Sequence, residues 1–405
     1  MVSPFNVRLS FFAIWLSFFS FPLHASFIES SIGTAVINDA TATYYNPAAL
    51  TLLKKPQGIA QGSATYYHDN FIGQYSQTLN SYSQFGSAKE QANNYLPALY
   101  VGIPTKDKLS LGVAVISNFL NSEIDQDSIL RYRQASARIQ DVDFTPGVGV
   151  QINPYLSIGG GMTYSSALIV SNPISGFPSL ALPDFQGSNV TRSTGYSGNI
   201  GFLLKASSAT LIGFNYRSAL SYEFNGTSTT QGLSSNRYQF DYWIPARSVL
   251  TISHYFRPHF ALIGTIKRVE WGVFDVVKTS GVATQVGTQS TILSDVNVPY
   301  HFHNTWGFTV GSIRTITPKW VVRVAGTYEQ SPGNGNYQIT NGDNFIIGAS
   351  TGYGISKNIT IDASYDYGFQ KNQKIDIVTN VDTVTGVDKG FRNGVSLKLT
   401  VTGLE

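Results

Sequence analysis

The stretch Asn358–Tyr367, NITIDASYDY, carries the pattern that predicts the fold of this chain. Every second residue from Ile359 to Tyr367 is apolar or aromatic, and the residues between them are polar or acidic. Because successive side chains of a β-strand point to opposite faces, this period of two predicts a strand with one apolar and one polar face. The same alternation recurs in Lys319–Glu329 and Gly394–Thr402, so the chain is predicted to be all-β.

The composition agrees with a strand-rich protein that carries few charges. Charged residues make up 13% of the 405 residues, about half the usual quarter, and the mean hydropathy is −0.03. The formal net charge is +3 without basic runs, so no nucleic acid partner is expected. The absence of cysteine excludes disulfides, thiol catalysis and cysteine-ligated metals.

The order of strands and turns predicts a transmembrane antiparallel β-barrel of about 14 strands. Tight turns are expected near residues 104–107, 153–154, 207–208, 257–258, 317–318 and 356–357. Long polar loops are expected between them, near residues 68–93, 118–137, 170–190, 225–236, 275–298, 332–342 and 373–389. Short turns at one end and long loops at the other are typical of the outer membrane of Gram-negative bacteria, whereas a soluble sandwich has no reason to sort its loops in this way.

Aromatic residues near the predicted strand ends are candidates for the girdles that flank the apolar band of such a barrel. A general enrichment of aromatic residues in strands would explain part of the same pattern. The candidates are Tyr66, Tyr67, Tyr155, Tyr222, Trp243, Tyr255, Phe256, Trp271, Trp306, Trp320, Tyr365 and Tyr367.

Residues 1–25 have the features of an export signal. Arg8 supplies a positive charge, Leu9–Leu23 is a mostly apolar run, and Leu23-His24-Ala25 is an acceptable cleavage site. The alternative is a membrane anchor, but the run is short for a span. No later stretch is apolar enough for a membrane helix.

Ser31–Leu50, SIGTAVINDATATYYNPAAL, fits neither an amphipathic helix nor an alternating strand. A segment without regular structure at membrane depth must satisfy its backbone on protein or water, which the interior of a barrel provides. We therefore predict a hatch at residues 26–55 that plugs the barrel of residues 56–405. The alternative is a disordered leader between the signal and the first strand.

Several motifs, in this order along the chain, make it similar to the FadL-type transporters of long-chain fatty acids and other hydrophobic compounds. They are Asn38-Asp39-Ala40, Tyr45-Asn46-Pro47-Ala48-Ala49-Leu50, Lys267–Trp271, His303–Trp306 and Tyr328–Pro332. The resemblance implies a 14-stranded barrel whose N-terminal hatch contains Asn38, Asp39, Asn46, Pro47 and Ala48. It also implies capture of a hydrophobic ligand by extracellular loops, a lumenal pocket, and a lateral exit beside a kinked strand.

Two sets of residues are candidates for ligand contacts. One is the apolar loop within Val170–Asn189, because exposed apolar clusters mark binding sites; its members are Ile174, Phe177, Leu180, Leu182 and Phe185. The other comprises inward-facing cations that could hold a carboxylate, namely Arg217, Arg247, Lys267 and Arg323. The loop could instead pack into the barrel mouth, and each cation could instead pair with a lumenal acid such as Glu329, Asp362 or Asp366.

The sequence therefore predicts a passive importer of fatty acids or other hydrophobic molecules in the outer membrane of a Gram-negative bacterium. The alternative is a general porin or a structural or adhesion barrel without a lipid pocket. No catalytic set, cofactor motif or metal site is expected; His301 and His303 share a face but lack a third ligand. The expected partners are the hydrophobic ligand, outer membrane lipid and lipopolysaccharide, and the barrel assembly machinery.

Overall fold

The computed structural model of the chain describes residues 34–78, 82–105, 108–125, 127–176, 183–286 and 289–403. The predicted export signal, at residues 1–25, and the start of the predicted hatch, at residues 26–33, lie outside the described residues. Among the described residues, no helix combines the length and apolar character needed to cross a bilayer.

The structure is a closed antiparallel β-barrel of 14 strands, which confirms the predicted fold class. The first part of the wall runs from β1 to β12, with a small hairpin, β6 and β7, outside the wall. The bounds are β1 Gln57–Gln77, β2 Tyr82–Pro104, β3 Leu109–Ile124, β4 Ser136–Gln151, β5 Leu156–Asn172, β6 Ile174–Ser175, β7 Phe185–Gln186, β8 Ser188–Lys205, β9 Thr210–Arg217, β10 Leu220–Thr230, β11 Leu233–Ile244 and β12 Arg247–Arg257.

The remaining strands complete the wall, with a second small hairpin, β15 and β16. Their bounds are β13 Phe260–Val269, β14 Val276–Ser280, β15 Val282–Val286, β16 Gln289–Leu293, β17 Val296–Pro299, β18 Thr305–Thr317, β19 Trp320–Glu329, β20 Asn344–Gly354, β21 Ile359–Gln370, β22 Gln373–Val378 and β23 Asp382–Thr402. Some wall strands are interrupted and consist of two segments each, namely β9 with β10, β11 with β12, β13 with β14, β17 with β18, and β21 with β22. Strands β1 and β23 close the barrel through a continuous register from Gln57↔Thr402 to Gln77↔Asp382.

Alternation of burial along the strands separates the lumen from the outer face. In β23, for example, Val395, Leu397 and Leu399 are exposed on the outside, whereas Ser396 and Lys398 are buried inside. Most of the predicted girdle residues face outward, but Tyr67 and Tyr222 point into the lumen with 4% and 2% exposure. The prediction is wrong for these two because the position in the period of two, and not the residue type, sets the face. It is also wrong for Trp271, which follows the end of β13 and packs inside the barrel against Phe274.

The tight turns lie at one end of the barrel, as predicted, but four of the expected long loops are wrong. Residues 275–298 contain β14, β17 and the β15–β16 hairpin. Residues 68–93, 225–236 and 373–389 consist mostly of strands, joined by short connections. These strand segments extend beyond the outer aromatic girdle, so their outer faces meet water and are largely polar. Without an apolar outer face the period of two is hard to detect, so the sequence of these segments predicts loops.

Two apolar cores fill the extended end of the barrel. The larger core is rich in aromatic residues of β10, β11 and the 270–304 connection, including Phe224, Phe240 and Phe274. The smaller core seats Ile129 and Leu130 of the 125–135 loop against inward side chains of β1, β22 and β23. This loop therefore covers part of the barrel mouth from inside.

The segment before β1 lies inside the barrel, at the end where the turns are tight. It contains the 3₁₀ helices Thr34–Val36 and Pro47–Leu52 and a single helical turn, α1, at Ala42–Tyr45. A third 3₁₀ helix, Trp271–Val273, follows β13 at the opposite end. Below, the described residues 34–55 are called the hatch.

Candidate functional site

Asn46 is the residue that fixes the hatch to the barrel wall. Its side chain is fully buried, and its Nδ2 donates hydrogen bonds to the carbonyl oxygens of Ala35 (2.6 Å) and Phe202 (3.1 Å). Its Oδ1 accepts a hydrogen bond from the backbone N–H of Ala48 (3.2 Å), which caps the 3₁₀ helix that begins at Pro47. Ala48 is also fully buried, so a larger side chain would not fit there.

Inward-facing glycines on six neighbouring wall strands make room for the hatch. A Cβ atom at Gly201 would lie 1.8 Å from Asn46 Oδ1, and one at Gly159 would lie 2.2 Å from the backbone nitrogen of Ala48. Real Cβ atoms do not approach heavy atoms so closely, so these strands need glycine at the contact. The full set, called the glycine collar below, is Gly102, Gly112, Gly149, Gly159, Gly201 and Gly213.

Asp39 connects the hatch to the opposite part of the wall. Its carboxylate accepts hydrogen bonds from Lys398 Nζ (3.0 Å) and the backbone N–H of Thr41 (2.9 Å). Asp39 belongs to the hatch and not to a membrane-spanning strand. Burial alone would raise its pKa, but Lys398 and the hydrogen bonds from Thr41 outweigh burial and hold the pKa below its usual value. Asn38, next to it, is exposed.

Away from the glycine collar, the lumenal wall carries ion pairs between strands. Lys267 reaches Glu329 across Gly307, which lies between them in the register of β13, β18 and β19. The other pairs are Arg323–Asp362 (2.8 Å) and Arg392–Asp366 (2.6 Å). Each pair satisfies charges that would be costly to leave unpaired inside the barrel.

A cavity of about 100 Å³ lies between the hatch and the interrupted strands of the wall. Tyr44 of the hatch forms one side, and Arg217, Arg247 and Lys267 project from the wall. The rest of its lining comprises Ile244, Pro245, Val269, Trp271, Thr305, Trp306, Gly307, Glu329, Gln330, Ser331, Pro332 and Asn344. Three of the four cations predicted from the sequence therefore meet at one cavity, whereas Arg323 lies elsewhere and contacts Asp362.

Arg217 links the wall to the hatch. Its guanidinium donates hydrogen bonds to the backbone oxygen of Tyr44 (2.7 Å) and to Thr163 Oγ1 (2.7 Å), and it stacks 3.9 Å from the centre of the Tyr44 ring. The Nε atom of Arg217 is buried without a hydrogen-bond partner. Burial raises the pKa of the Tyr44 hydroxyl, which keeps this hatch residue neutral.

Arg247, unlike Lys267, has no acidic partner in this cavity. It lies directly opposite Arg217 in the register of β12 and β9, with its guanidinium 5.5 Å from the centre of the Tyr44 ring. No carboxylate of the described chain lies within ion-pair distance of Arg247. Like charges directly opposite each other destabilise a strand pair, so an anion placed between these two arginines would be stabilised.

The predicted apolar loop is described only in part. Ile174 packs at the edge of the smaller apolar core, and Ser175 pairs with Phe185 in the β6–β7 hairpin. Phe177, Leu180 and Leu182 lie outside the described residues.

His301 contacts Asp275 through its Nδ1 (2.5 Å).

The wall between β2 and β3 is interrupted at one point. Residues on either side keep one register, from Tyr95↔Phe119 to Ala98↔Ile116, but Leu96 and Pro97 have no ladder partner on β3. Proline has no N–H to donate, which explains the gap in the ladder. Outside this gap lies an apolar groove lined by Ala60, Gln61, Gly62, Pro97, Ala98, Leu99, Val115, Ser117, Leu397 and Leu399.

Sequence reasoning missed several residues of the site. The sequence prediction assigns no role to Tyr44 and does not include Arg392 or Lys398 among the inward cations. Alternation with Leu397 and Leu399 would have placed Lys398 in the lumen. The glycine collar had no sequence signal of its own, because glycines are frequent throughout the chain.

Comparison with known proteins agrees with this architecture. The family model described as "Outer membrane protein transport protein (OMPP1/FadL/TodX)" matches residues 31–404. A search of curated proteins found no match.

Among solved structures, a FadL homologue of Pseudomonas aeruginosa matches with a TM-score of 0.82 and 18% identity, over 95% of this chain and 100% of that one. The toluene transporter TodX of P. putida matches with a TM-score of 0.68 and 14% identity, over 94% and 99%. The toluene transporter TbuX of Ralstonia pickettii gives 0.64 and 14%, over 93% and 98%. These structures support the fold, while the family model spans nearly the whole chain. The chain therefore belongs to the FadL/TodX family of outer membrane transport proteins, and its barrel lies in the outer membrane of a Gram-negative bacterium.

Proposed function

We propose that this barrel imports hydrophobic molecules that carry an anionic head group, long-chain fatty acids foremost. The observation that carries the proposal is the unpaired Arg247, which lies opposite Arg217 in a cavity with apolar walls. The cavity holds three cations and one acid, Glu329, so it favours an anion. A carboxylate between the two arginines would gain charge-assisted hydrogen bonds while its chain contacts residues such as Trp271 and Val269.

We propose further that the ligand enters from the apolar surfaces at the barrel mouth. Ile174, Phe185 and the neighbouring Phe177, Leu180 and Leu182 would make the first contact. The cavity is smaller than the roughly 300 Å³ at the lower end of ordinary ligand sites, so the hydrocarbon chain must extend beyond it or the hatch must shift.

Tyr44 would couple the ligand to the hatch. Both arginines lie against the Tyr44 ring, and Arg217 also binds its backbone oxygen. A carboxylate that draws these guanidiniums toward itself would weaken the contacts that hold Tyr44. If the ligand binds more tightly when the hatch is displaced than when it is docked, ligand binding shifts the hatch toward the displaced position.

The interruption at Pro97 is the best candidate for a lateral exit. Inside the wall at this point, Leu96 packs in one apolar cluster with Tyr44 and Tyr45 of the hatch. Outside it lies the apolar groove beside Leu99 and Leu397. A path here would cross the wall where two residues of β2 make no ladder contact with β3, and it would open into apolar surroundings.

Neutral aromatic hydrocarbons are the second candidate ligands. TodX and TbuX are described as toluene transporters, and the larger core of this chain beside the cavity is rich in aromatic residues. Such a ligand would not need Arg247. The third candidate function is a general porin, which would conduct ions steadily through an open lumen. Large stable single-channel currents from the wild type would favour it.

The test compares binding of oleate and oleyl alcohol to the purified full-length protein, by displacement of a fluorescent fatty acid. Charge-assisted hydrogen bonds contribute about 1.5–3 kcal/mol, so Arg247→Gln should weaken oleate binding roughly 10- to 100-fold. Binding of the alcohol should change little. Arg268→Gln is the matched control, because Arg268 is the exposed outward residue of the neighbouring strand. Equal oleate affinity in wild type and Arg247→Gln would reject the anion site.

A further inference from the structure

Two lysines on the outer face of the barrel occupy one row just above the aromatic girdle. Asn70 of β1 is opposite Lys89 of β2 on one side and opposite Lys389 of β23 on the other. Both lysines are exposed. Neighbouring strands are about 4.8 Å apart, so the two lysines are separated by roughly 10 Å across Asn70.

The level of this row follows from the residues below it. His68 stacks on Phe391 at 4.7 Å, and both lie one outward row nearer the tight-turn end than Asn70 and Lys389. Tyr66 lies one row lower and contacts Tyr95. Two residues along a strand tilted by about 40° rise roughly 5 Å, so the lysines lie within the headgroup layer, on the side away from the tight turns.

No acidic side chain of the described chain lies within ion-pair distance of either lysine. Two outward acids lie near Lys89. Glu123 of β3 accepts a hydrogen bond from Asn121 (2.9 Å), and Asp125, which follows β3 and continues the register to the position opposite Lys89, accepts one from the backbone N–H of Asp127 (3.1 Å). On β22, Asp376 lies 3.6 Å from Lys374 instead. Two unpaired cations at headgroup level form a surface complementary to lipid phosphates.

Immediately above the lysines the outer face becomes apolar again. Ile72 is opposite Val387 across β1 and β23, and Phe85 of β2 is 75% exposed, one row further from the membrane. Above the headgroup level the exposed parts of these side chains, 43% of Ile72 and most of Phe85, are not covered by lipid tails. Flat aromatic and aliphatic surfaces suit the apolar faces of sugar rings.

From this arrangement we propose that the outer face of β23, β1 and β2 binds the phosphorylated glucosamine headgroup of lipopolysaccharide, the lipid of the outer leaflet. Lys89 and Lys389 contact two phosphates of one headgroup, and Phe85 and Ile72 contact its sugars. An ordinary phospholipid supplies one phosphate and no sugar, so it satisfies only half of the site. The site lies outside the lumen and is independent of the transported ligand.

The experiment measures lipid retention by the purified full-length barrel, using native mass spectrometry in detergent. The probes are lipid A with two phosphates, lipid A with one phosphate, phosphatidylglycerol and inorganic phosphate. A lysine near an anionic surface changes lipid affinity about fivefold, so Lys89→Gln with Lys389→Gln should weaken binding of bisphosphorylated lipid A roughly 25-fold. Lys374→Gln is the control and should retain wild-type affinity.

A second double variant, Lys89→Arg with Lys389→Arg, should restore most of the binding, and all variants should bind oleate like the wild type. The proposal is overturned if phosphatidylglycerol or inorganic phosphate binds as well as bisphosphorylated lipid A. Equal retention by the double glutamine variant and by Lys374→Gln would overturn it too. Because the lysines are exposed, folding of the variants is checked directly by the heat-modified mobility of the barrel.

Discussion

Substitution of one glycine in the collar should release the hatch without disturbing the barrel. In Gly201→Ala the new Cβ would lie 1.8 Å from Asn46 Oδ1, where ordinary contacts begin at 3.4 Å. The Asn46 side chain must then move, which breaks its hydrogen bonds to Ala35, Phe202 and Ala48. At about 1 kcal/mol each, the docked hatch loses about 3 kcal/mol, a shift of roughly 100-fold toward undocked states.

Planar-bilayer conductance measures this release, because a displaced hatch opens the lumen to ions. Gly201→Ala should show frequent openings that the wild type lacks. Gly198→Ala is the matched control on the same strand, since a Cβ there faces outward with no atom nearer than 4.0 Å. If folded Gly201→Ala conducts no more than Gly198→Ala, then Asn46 does not hold the hatch as described.

Three further predictions concern the wall and the hatch contacts. Leu96 and Asn118 face each other across the gap between β2 and β3, so a disulfide between Leu96→Cys and Asn118→Cys would close the proposed exit. The oxidised protein should bind oleate but not transport it, and a reductant should restore transport. Transport that continues in the oxidised protein would place the exit elsewhere. Arg323→Gln should lower the free energy of unfolding by about 2 kcal/mol, because it leaves buried Asp362 unpaired. The double variant Arg323→Gln with Asp362→Asn should recover most of this stability, as measured by thermal unfolding. No recovery would mean that the ion pair is not the cause of the destabilisation. Because the pKa of Asp39 is lowered in the folded protein, its contact with Lys398 stabilises the docked hatch at pH values above the usual pKa of 3.8. This stabilisation is lost as the pH falls through the folded pKa, so conductance should stay constant from about pH 5 to 8 and rise only in stronger acid. A rise in conductance already at neutral pH would contradict this.

The strands at membrane depth could be predicted from the sequence because lipid imposes an apolar outer face. The alternation in Asn358–Tyr367 and Gly394–Thr402 therefore predicts which side chains face outward without any tertiary information. Beyond the girdle the same strands continue with polar outer faces, as in the upper part of β1. There the constraint from lipid ends, which is why the sequence of residues 68–93 predicts a loop where the structure has strands.

The sequence predicts which residues of the site face the lumen, but not which of them contact each other. Alternation identified Arg217, Arg247 and Lys267 as inward cations, but sequence alone could not say which of them find an acid. Lys267 reaches Glu329 because Gly307 leaves the space between them open, whereas Arg247 faces Arg217. Such pairings depend on strand register, which is set by closure of the whole barrel.

The sequence by itself determined the all-β class, the strand number and the family, because each depends on local periodicity or on motifs. The tertiary structure decided that Asn46 meets a collar of glycines from six strands and that two arginines meet at Tyr44. It also placed Lys89 and Lys389 in one row above the girdle. These contacts join residues that are far apart in the chain, and only barrel closure and register bring them together.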